Sequence, residues 1–396
     1  MGRQTSTAIA ALLAVAALLL GIVIGGHSSV LPGFVRNTLV GDKDTRVVRE
    51  AIDRVHDDYY RKVPESKLSD AAIAGIVRSL DDRFSRYFDP AAYRRFKDLT
   101  HNRYEGVGID VARAKRGLRV VDVFDGSPAE RAGIRKGDLL LAAAGRSLVG
   151  RSIEDASNLI KGPPGTDVRL RVLHDGRTRS LTVERARVTV PVVASALHTV
   201  DGRKLGVVRL ATFSSGAHAE VANALKKLQK RGAHGYVLDL RANGGGFVDE
   251  AQLIASLFLK GGTIVTTKGR SVPTRTLKAE GKPLLPDAPL VVLVDRDTAS
   301  ASEIVTGALQ DRSRAKVVGT RTFGKGVFQE VVELSNGGAL DITAGQYFTP
   351  KGRNLGGVGV KTGAGIAPNI RARDVPKTAR DEALDKALRV LAGESR

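Results

Sequence analysis

Residues Gly235–Leu259 read GYVLDLRANGGGFVDEAQLIASLFL, and this stretch decides the fold. "GYVLDLR" is an apolar run of strand length, the pattern of a strand buried on both faces. "VDEAQLIASLFL" repeats its apolar residues at helical spacing. "ANGGGF" is the loop between them. Outward from this unit the alternation continues: the strand "KLGVVRLA" and the helix "GAHAEVANALKKLQKRG" before it, then the strand "PLVVLVD", the helix "SEIVTGALQD" and the strand "AKVVG" after it. Apolar strands alternating with helices predict an α/β layer over residues 191–370, with a helical tail over 371–396. In such sheets ligands gather at the C-terminal strand ends.

Three loops fall at those ends. One is "RDTASASE" after Asp295, another is "RANGGGF", and the third is Gly319–Gly326, "GTRTFGKG". The third is one residue short of a phosphate-binding loop. Gly326 stands where a Mg²⁺-binding hydroxyl is required, and "VFQEVVEL" after it reads as a strand instead of a helix. A P-loop nucleotide hydrolase is thereby disfavoured, and Lys325 needs another role.

Ser300 and Ser302 lie where a strand turns into a helix. Ser300-x-x-Glu303 is a capping box. The same turn exposes a hydroxyl beside a helix N-terminus, with the Ala301 N–H facing charge that develops on an attacked carbonyl. A nucleophilic serine needs a base, and none of the three loops contains His. Lys325 can serve if burial pulls its pKa down from about 10.4. Gln329, four residues on along a strand, shares its face and can hold the amine without adding charge.

The whole chain bounds these readings. Its 396 residues, 42% apolar and 26% charged, suit two or three globular domains. The absence of Cys excludes disulfides and thiolate metal sites, and seven scattered His without an H-E-x-x-H pair speak against a metalloenzyme. No metal or other cofactor is called for. The net charge of +20 is spread along the chain without dense runs, a solvated basic surface and not a nucleic-acid site. Thr7–Gly26, "TAIAALLAVAALLLGIVIGG", is uncharged and long enough to span a bilayer. "GGHSS" matches a cleavage site poorly, so an uncleaved transmembrane anchor is expected, with secretion after cleavage as the alternative. Arg3 puts residues 1–6 in the cytoplasm as a stub and the catalytic part outside, single-pass at the cell membrane. Residues 27–45 read as a linker and 46–100 as a helical region that only packs.

Residues 104–186 change character, with short strands, a turn-rich stretch and one helix. The segment resembles a PDZ domain, most specifically in "GSPAERAGIRKGDLLLAAAG", with "EGVGI" where the peptide-carboxylate loop belongs. That resemblance makes Glu105, Gly106, Val107, Gly108 and Ile109 the candidate peptide-binding residues. Gly106 and Gly108 let successive N–H groups turn toward one anion, and the strand behind them would pair with an extended peptide.

"TASASEIVTGALQD…VVGTRTFGKGVFQ", with "LDLRANGGG" upstream and "SLDDRFSRYFDP" before the PDZ-like segment, resembles the C-terminal processing peptidases, or tail-specific proteases. The likeness runs from about Thr45 to about Ile370. These are serine peptidases with a Ser/Lys dyad and an inserted PDZ domain. The resemblance implies Ser300 as nucleophile, Lys325 as general base and Gln329 as its positioner. The 25-residue interval between Ser300 and Lys325 agrees with the family pattern. It also implies an oxyanion hole from the Gly245 and Ala301 N–H groups, with Asp311 in support. Two departures stand out: Thr298 replaces the usual Gly or Ser, and "NLGGVGVKTGAGIAPNI" carries extra glycines, so the end of the core is expected to differ. The function implied is an endopeptidase that captures free protein C-termini and cleaves by acyl transfer. An inactive PDZ scaffold is the alternative, and a homo-oligomer is compatible with either.

Overall fold

The apolar runs that alternate along the sequence become the central strands of the larger of two compact units, Met1–Asp81 and Asp82–Arg396. The computed structural model describes residues 43–100, 102–356, 363–375, 378 and 380–393. In the first unit, α1 (Lys43–Asp58) and α2 (Glu65–Arg78) form a helix pair. Arg49 reaches Glu65 at 2.8 Å, and the His56 ring lies 2.9 Å from the Val63 carbonyl.

The second unit opens with β1 (Arg86–Phe88), α3 (Pro90–Thr100) and β2 (Arg103–Gly106). A β-rich module follows: β3 (Ile109–Ala114), β4 (Gly117–Val123), α4 (Pro128–Arg131), β5 (Leu139–Ala143) and β6 (Arg146–Ser147), then α5 (Ile153–Ile160), β7 (Asp167–His174) and β8 (Arg177–Glu184). Its sheet runs β3-β4-β5-β7-β8, and β3 is an edge strand. β9 (Ala186–Thr189) returns to pair with β2. Leu118, Leu140, Leu170 and Val172, from alternate positions of their strands, fill the module's own core.

The remainder begins with the hairpin β10 (Val193–Val200) and β11 (Arg203–Leu210), then α6 (Ala217–Lys230), β12 (Gly235–Asp239) and α7 (Val248–Ser256). After these come β13 (Thr263–Gly269), β14 (Arg275–Lys278), β15 (Leu290–Val294), α8 (Ala301–Asp311) and β16 (Lys316–Gly319). β17 (Val327–Glu333), β18 (Ala339–Phe348), β19 (Ile370–Arg371) and α9 (Glu382–Ala392) complete it. One sheet runs β10-β11-β12-β15-β16-β19, parallel from β11 onward. Val208, Leu238, Val292 and Val317 face α6, α7 and α8, while Val207, Val237, Val291 and Val318 face α9. A strand covered on both faces gains nothing from polar alternation, which is why β12 and β15 are buried throughout.

The strand after Lys325 departs from the expected alternation. β19 takes the place beside β16, and β17 instead joins a separate antiparallel sheet, β1-β18-β13-β14 with β17 on β18. "RYF" in the helical N-terminal region is likewise a strand, β1, paired with Ala339–Asp341.

The fold class needs one correction: the expected transmembrane helix is no part of the described fold. Among the described residues no helix is long and apolar enough to cross a membrane. The longest, α1, has 16 residues and is strongly charged, whereas a span takes about 20 apolar residues. The run over residues 7–26 lies outside the described residues, as does part of the glycine-rich stretch before β19.

Candidate active site

β15 ends at Val294, and the chain turns through Asp295–Ala299 into α8 with Ser300 at the corner. The Ser300 backbone has φ 56° and ψ −119°, a left-handed conformation that a residue with a side chain rarely adopts. Such strain persists only where the surroundings impose it, and it marks functional turns. Ser300 is half-buried and forms a capping box with Glu303 at the start of the helix. Ser302, by contrast, is fully buried and donates to the Asn243 carbonyl at 2.9 Å.

Lys325 approaches from the loop after β16. Its Nζ donates to Gln329 Oε1 at 2.6 Å, and Gln329 Nε2 donates to Thr343 Oγ1 at 3.1 Å, which orients the amide. The two side chains meet although Lys325 precedes β17 and the strand is irregular between Phe328 and Gln329. The Phe84 ring lies 5.1 Å from the amine. Burial lowers the Lys325 pKa below that of an ordinary lysine; Asp341 works against the shift and Arg86 adds to it. Asp341 is itself buried, and Arg86 Nε holds it at 3.0 Å.

One carboxylate ties these parts together. Glu303 is fully buried and accepts the Ser300 N–H and the Lys325 N–H on the same oxygen, both at 3.0 Å. Its other oxygen accepts the Gly324 N–H at 2.8 Å and the Thr322 hydroxyl at 2.6 Å. Burial pushes its pKa up, and these four donors oppose the shift. The capping box of Ser300 and Glu303 is present, and its Glu303 arm reaches beyond its own helix to the Lys325 loop.

The glycine loop is stitched to the same corner. The Asn243 carbonyl accepts the Ala299 N–H at 3.0 Å as well as the Ser302 hydroxyl. Gly245 sits at φ +103°, and a Cβ there would lie 2.8 Å from Ser300 Cβ and 2.9 Å from the Ala301 nitrogen, so glycine alone fits. Its N–H donates to Asn243 Oδ1 at 2.9 Å, whereas the Ala301 N–H has no partner among the described residues. Asp311 lies away from this cluster at the far end of α8, bound to the Arg353 guanidinium and the Lys351 N–H. Asn354, from the same loop, donates to the Gly326 carbonyl at 2.9 Å, which joins that loop to the one carrying Lys325.

Phe84, Arg86, Asp341 and Thr343 escaped the sequence reading. "SLDDRFSRYFDP" was visible as part of a resemblance, but the pairing of Arg86 with Asp341 joins residues far apart in the chain and has no local signature.

In the β-rich module, Glu105 and Gly106 belong to the ladder with β9, and Val107 is buried. Gly108 makes the turn at φ +85°, where a Cβ would lie 2.2 Å from Ser127 Cβ. The Gly108 and Ile109 N–H groups converge on one point beside a groove of about 770 Å³, lined by Ile109 and Val111 of β3 and by Ile153, Ser157 and Lys161 at α5.

With this geometry in view, known proteins supply comparisons. Residues 204–371 match the profile of Peptidase family S41, residues 119–173 match PDZ domain, and residues 35–92 match the N-terminal domain of the activating protease CtpB. The carboxy-terminal processing protease CtpA of Bacillus subtilis (strain 168) is 32% identical over 384 residues, covering 96% of this chain and 80% of the relative. A carboxyl-terminal-processing protease of Synechocystis sp. is 38% identical over 294 residues, 73% of this chain and 69% of that protein. Among solved structures, the photosystem II D1 C-terminal processing protease superposes with a TM-score of 0.50 at 30% identity, covering 89% of this chain and 98% of that one.

Proposed function

The chain belongs to peptidase family S41, the carboxy-terminal processing proteases, and from that premise we propose how its residues divide the work. It is a serine endopeptidase with a PDZ domain, acting on peptide and protein substrates. Ser300 is the nucleophile, Lys325 the general base and Gln329 the group that aims the amine. The observation that carries this reading is Glu303, whose single oxygen holds the backbone of Ser300 and the backbone of Lys325 together.

The reaction is acyl transfer. As a neutral amine, Lys325 donates one N–H to Gln329 and keeps its lone pair for the Ser300 proton. The freed oxygen attacks the peptide carbonyl, and the Ala301 N–H meets the developing oxyanion. The Lys325 ammonium returns its proton to the leaving amine, and water, activated in the same way, releases the acyl group. A second oxyanion donor comes from the glycine loop. Gly245 supplies it only by a peptide rotation that breaks its bond to Asn243. Hydrolysis of an unfolded protein should be blocked by a serine-directed fluorophosphonate and unaffected by a chelator; the reverse pattern would overturn this assignment.

Glu303 is the positioning residue of this site. Glu303→Gln keeps the shape but presents an amide NH₂ to backbone donors, leaving at least one buried N–H unpaired. The expected result is a fall in kcat of about tenfold to a hundredfold with KM little changed, because substrate contacts survive while Ser300 and Lys325 lose their common anchor. An unchanged kcat in a folded variant would remove Glu303 from the account.

The PDZ groove reads the free C-terminus of the substrate. An edge strand, β3, is open to β-augmentation, and two converging N–H groups favour a charged acceptor. A peptide with a free carboxylate is expected to bind about tenfold more tightly than its amide, and equal binding would leave the peptidase without tail recognition. The apolar run over residues 7–26 supports action outside the cytoplasm; fractionation with N-terminal sequencing of the native protein tests this.

A further inference from the structure

The point on which the Gly108 and Ile109 N–H groups converge already holds an acceptor of the chain itself. Both donate to the Tyr104 hydroxyl, each at 3.1 Å. That hydroxyl also lies 3.4 Å from the Ile109 carbonyl. Tyr104 reaches this position because its ring lies over Gly106, where a Cβ would be 2.7 Å from the ring edge. Gly106 therefore serves the tyrosine, while Gly108 alone makes the turn. Phe124 meets the ring edge-on at 6.4 Å between centroids, and Lys161 Nζ stands 5.7 Å from the ring centre. The ring is half-buried on the wall of the groove and the hydroxyl is at its end, so a rotation would free both donors.

We infer that Tyr104 governs substrate capture: its hydroxyl occupies the seat of the substrate's terminal carboxylate and must be displaced before a tail is held. This rests on the reading of the groove as a tail site. The exchange favours the charged ligand. A carboxylate takes the two N–H groups in charge-assisted bonds roughly twice as strong as those to a neutral phenol, whereas a neutral amide exchanges like for like and can lie along β3 without the seat. Affinity for tails is lowered by the fraction of time the seat is closed. Burial keeps the hydroxyl neutral by raising its pKa, so it remains a weaker acceptor than the carboxylate that replaces it.

The test is Tyr104→Phe in the full chain, which keeps the ring packing and removes only the hydroxyl. Binding is measured in the Ser300→Ala background by anisotropy, with an N-terminally fluorescein-labelled decapeptide ending in two apolar residues, as free acid and as amide. The free acid should tighten about tenfold and the amide stay within about twofold. With Ser300 intact, KM for a substrate with that tail should fall in proportion while kcat holds. Equal tightening of acid and amide would make Tyr104 a general obstruction and overturn the inference. An acid preference that Tyr104→Phe leaves unchanged would overturn it while sparing tail recognition. No preference in either protein would overturn both.

Discussion

Ser300→Ala is expected to abolish hydrolysis of an unfolded protein, by about 10⁴-fold or more, because it removes the hydroxyl that forms the acyl bond. The sequence alone forecast a stability loss of about 1 kcal/mol from the missing cap. The structure limits that loss, since the Glu303 arm of the capping box, which binds the backbone N–H, survives the substitution. Thermal melting should therefore change little while activity disappears. Ser302→Ala should show the opposite balance. It removes a buried bond to Asn243, lowers stability by about 1 kcal/mol and leaves the reacting oxygen in place. An active Ser300→Ala beside an inactive Ser302→Ala would mean that the wrong serine has been assigned.

Lys325→Arg should be as inactive as Lys325→Ala, a loss of about 10³-fold, although it preserves the charge. A guanidinium stays protonated at any working pH and cannot take the serine proton. In the wild type the working form is the neutral amine, so activity rises with pH as the ammonium is lost. Burial puts that limb below the pKa of ordinary lysine. Asp341→Asn should move it lower still, because it removes a carboxylate that favours the ammonium and leaves the Arg86 charge uncompensated. A limb that moves upward, or an active Lys325→Arg, would recast Lys325 as an electrostatic or structural residue.

What was legible in the sequence was local. β12 and β15 announce themselves as uninterrupted apolar runs, Ser300 by its strand-to-helix corner, and Lys325 with Gln329 by an interval along one segment. Contacts made by distant strands were not legible. Phe84 and Asp341 reach Lys325 only because β1 and β17 pair with opposite edges of β18, and no spacing in "SLDDRFSRYFDP" encodes that partner. The direction of single N–H groups was hidden for a similar reason: Asn243 claims that of Gly245, and Tyr104 claims those of Gly108 and Ile109. Glu303 was legible as a cap and not as a clasp, because its second set of donors lies about 20 residues away on another loop. The apolar run at the N-terminus led to a spanning helix that the described fold does not contain.

The dyad is tested most directly by trapping the covalent intermediate. A slowly deacylating ester substrate, quenched in acid and mapped by mass spectrometry, should leave one acyl group on Ser300 in the wild type and none in Lys325→Arg. An acyl group on any other residue, or equal acylation of Ser300 when Lys325 is arginine, would contradict the assignment of Ser300 and Lys325 as nucleophile and base.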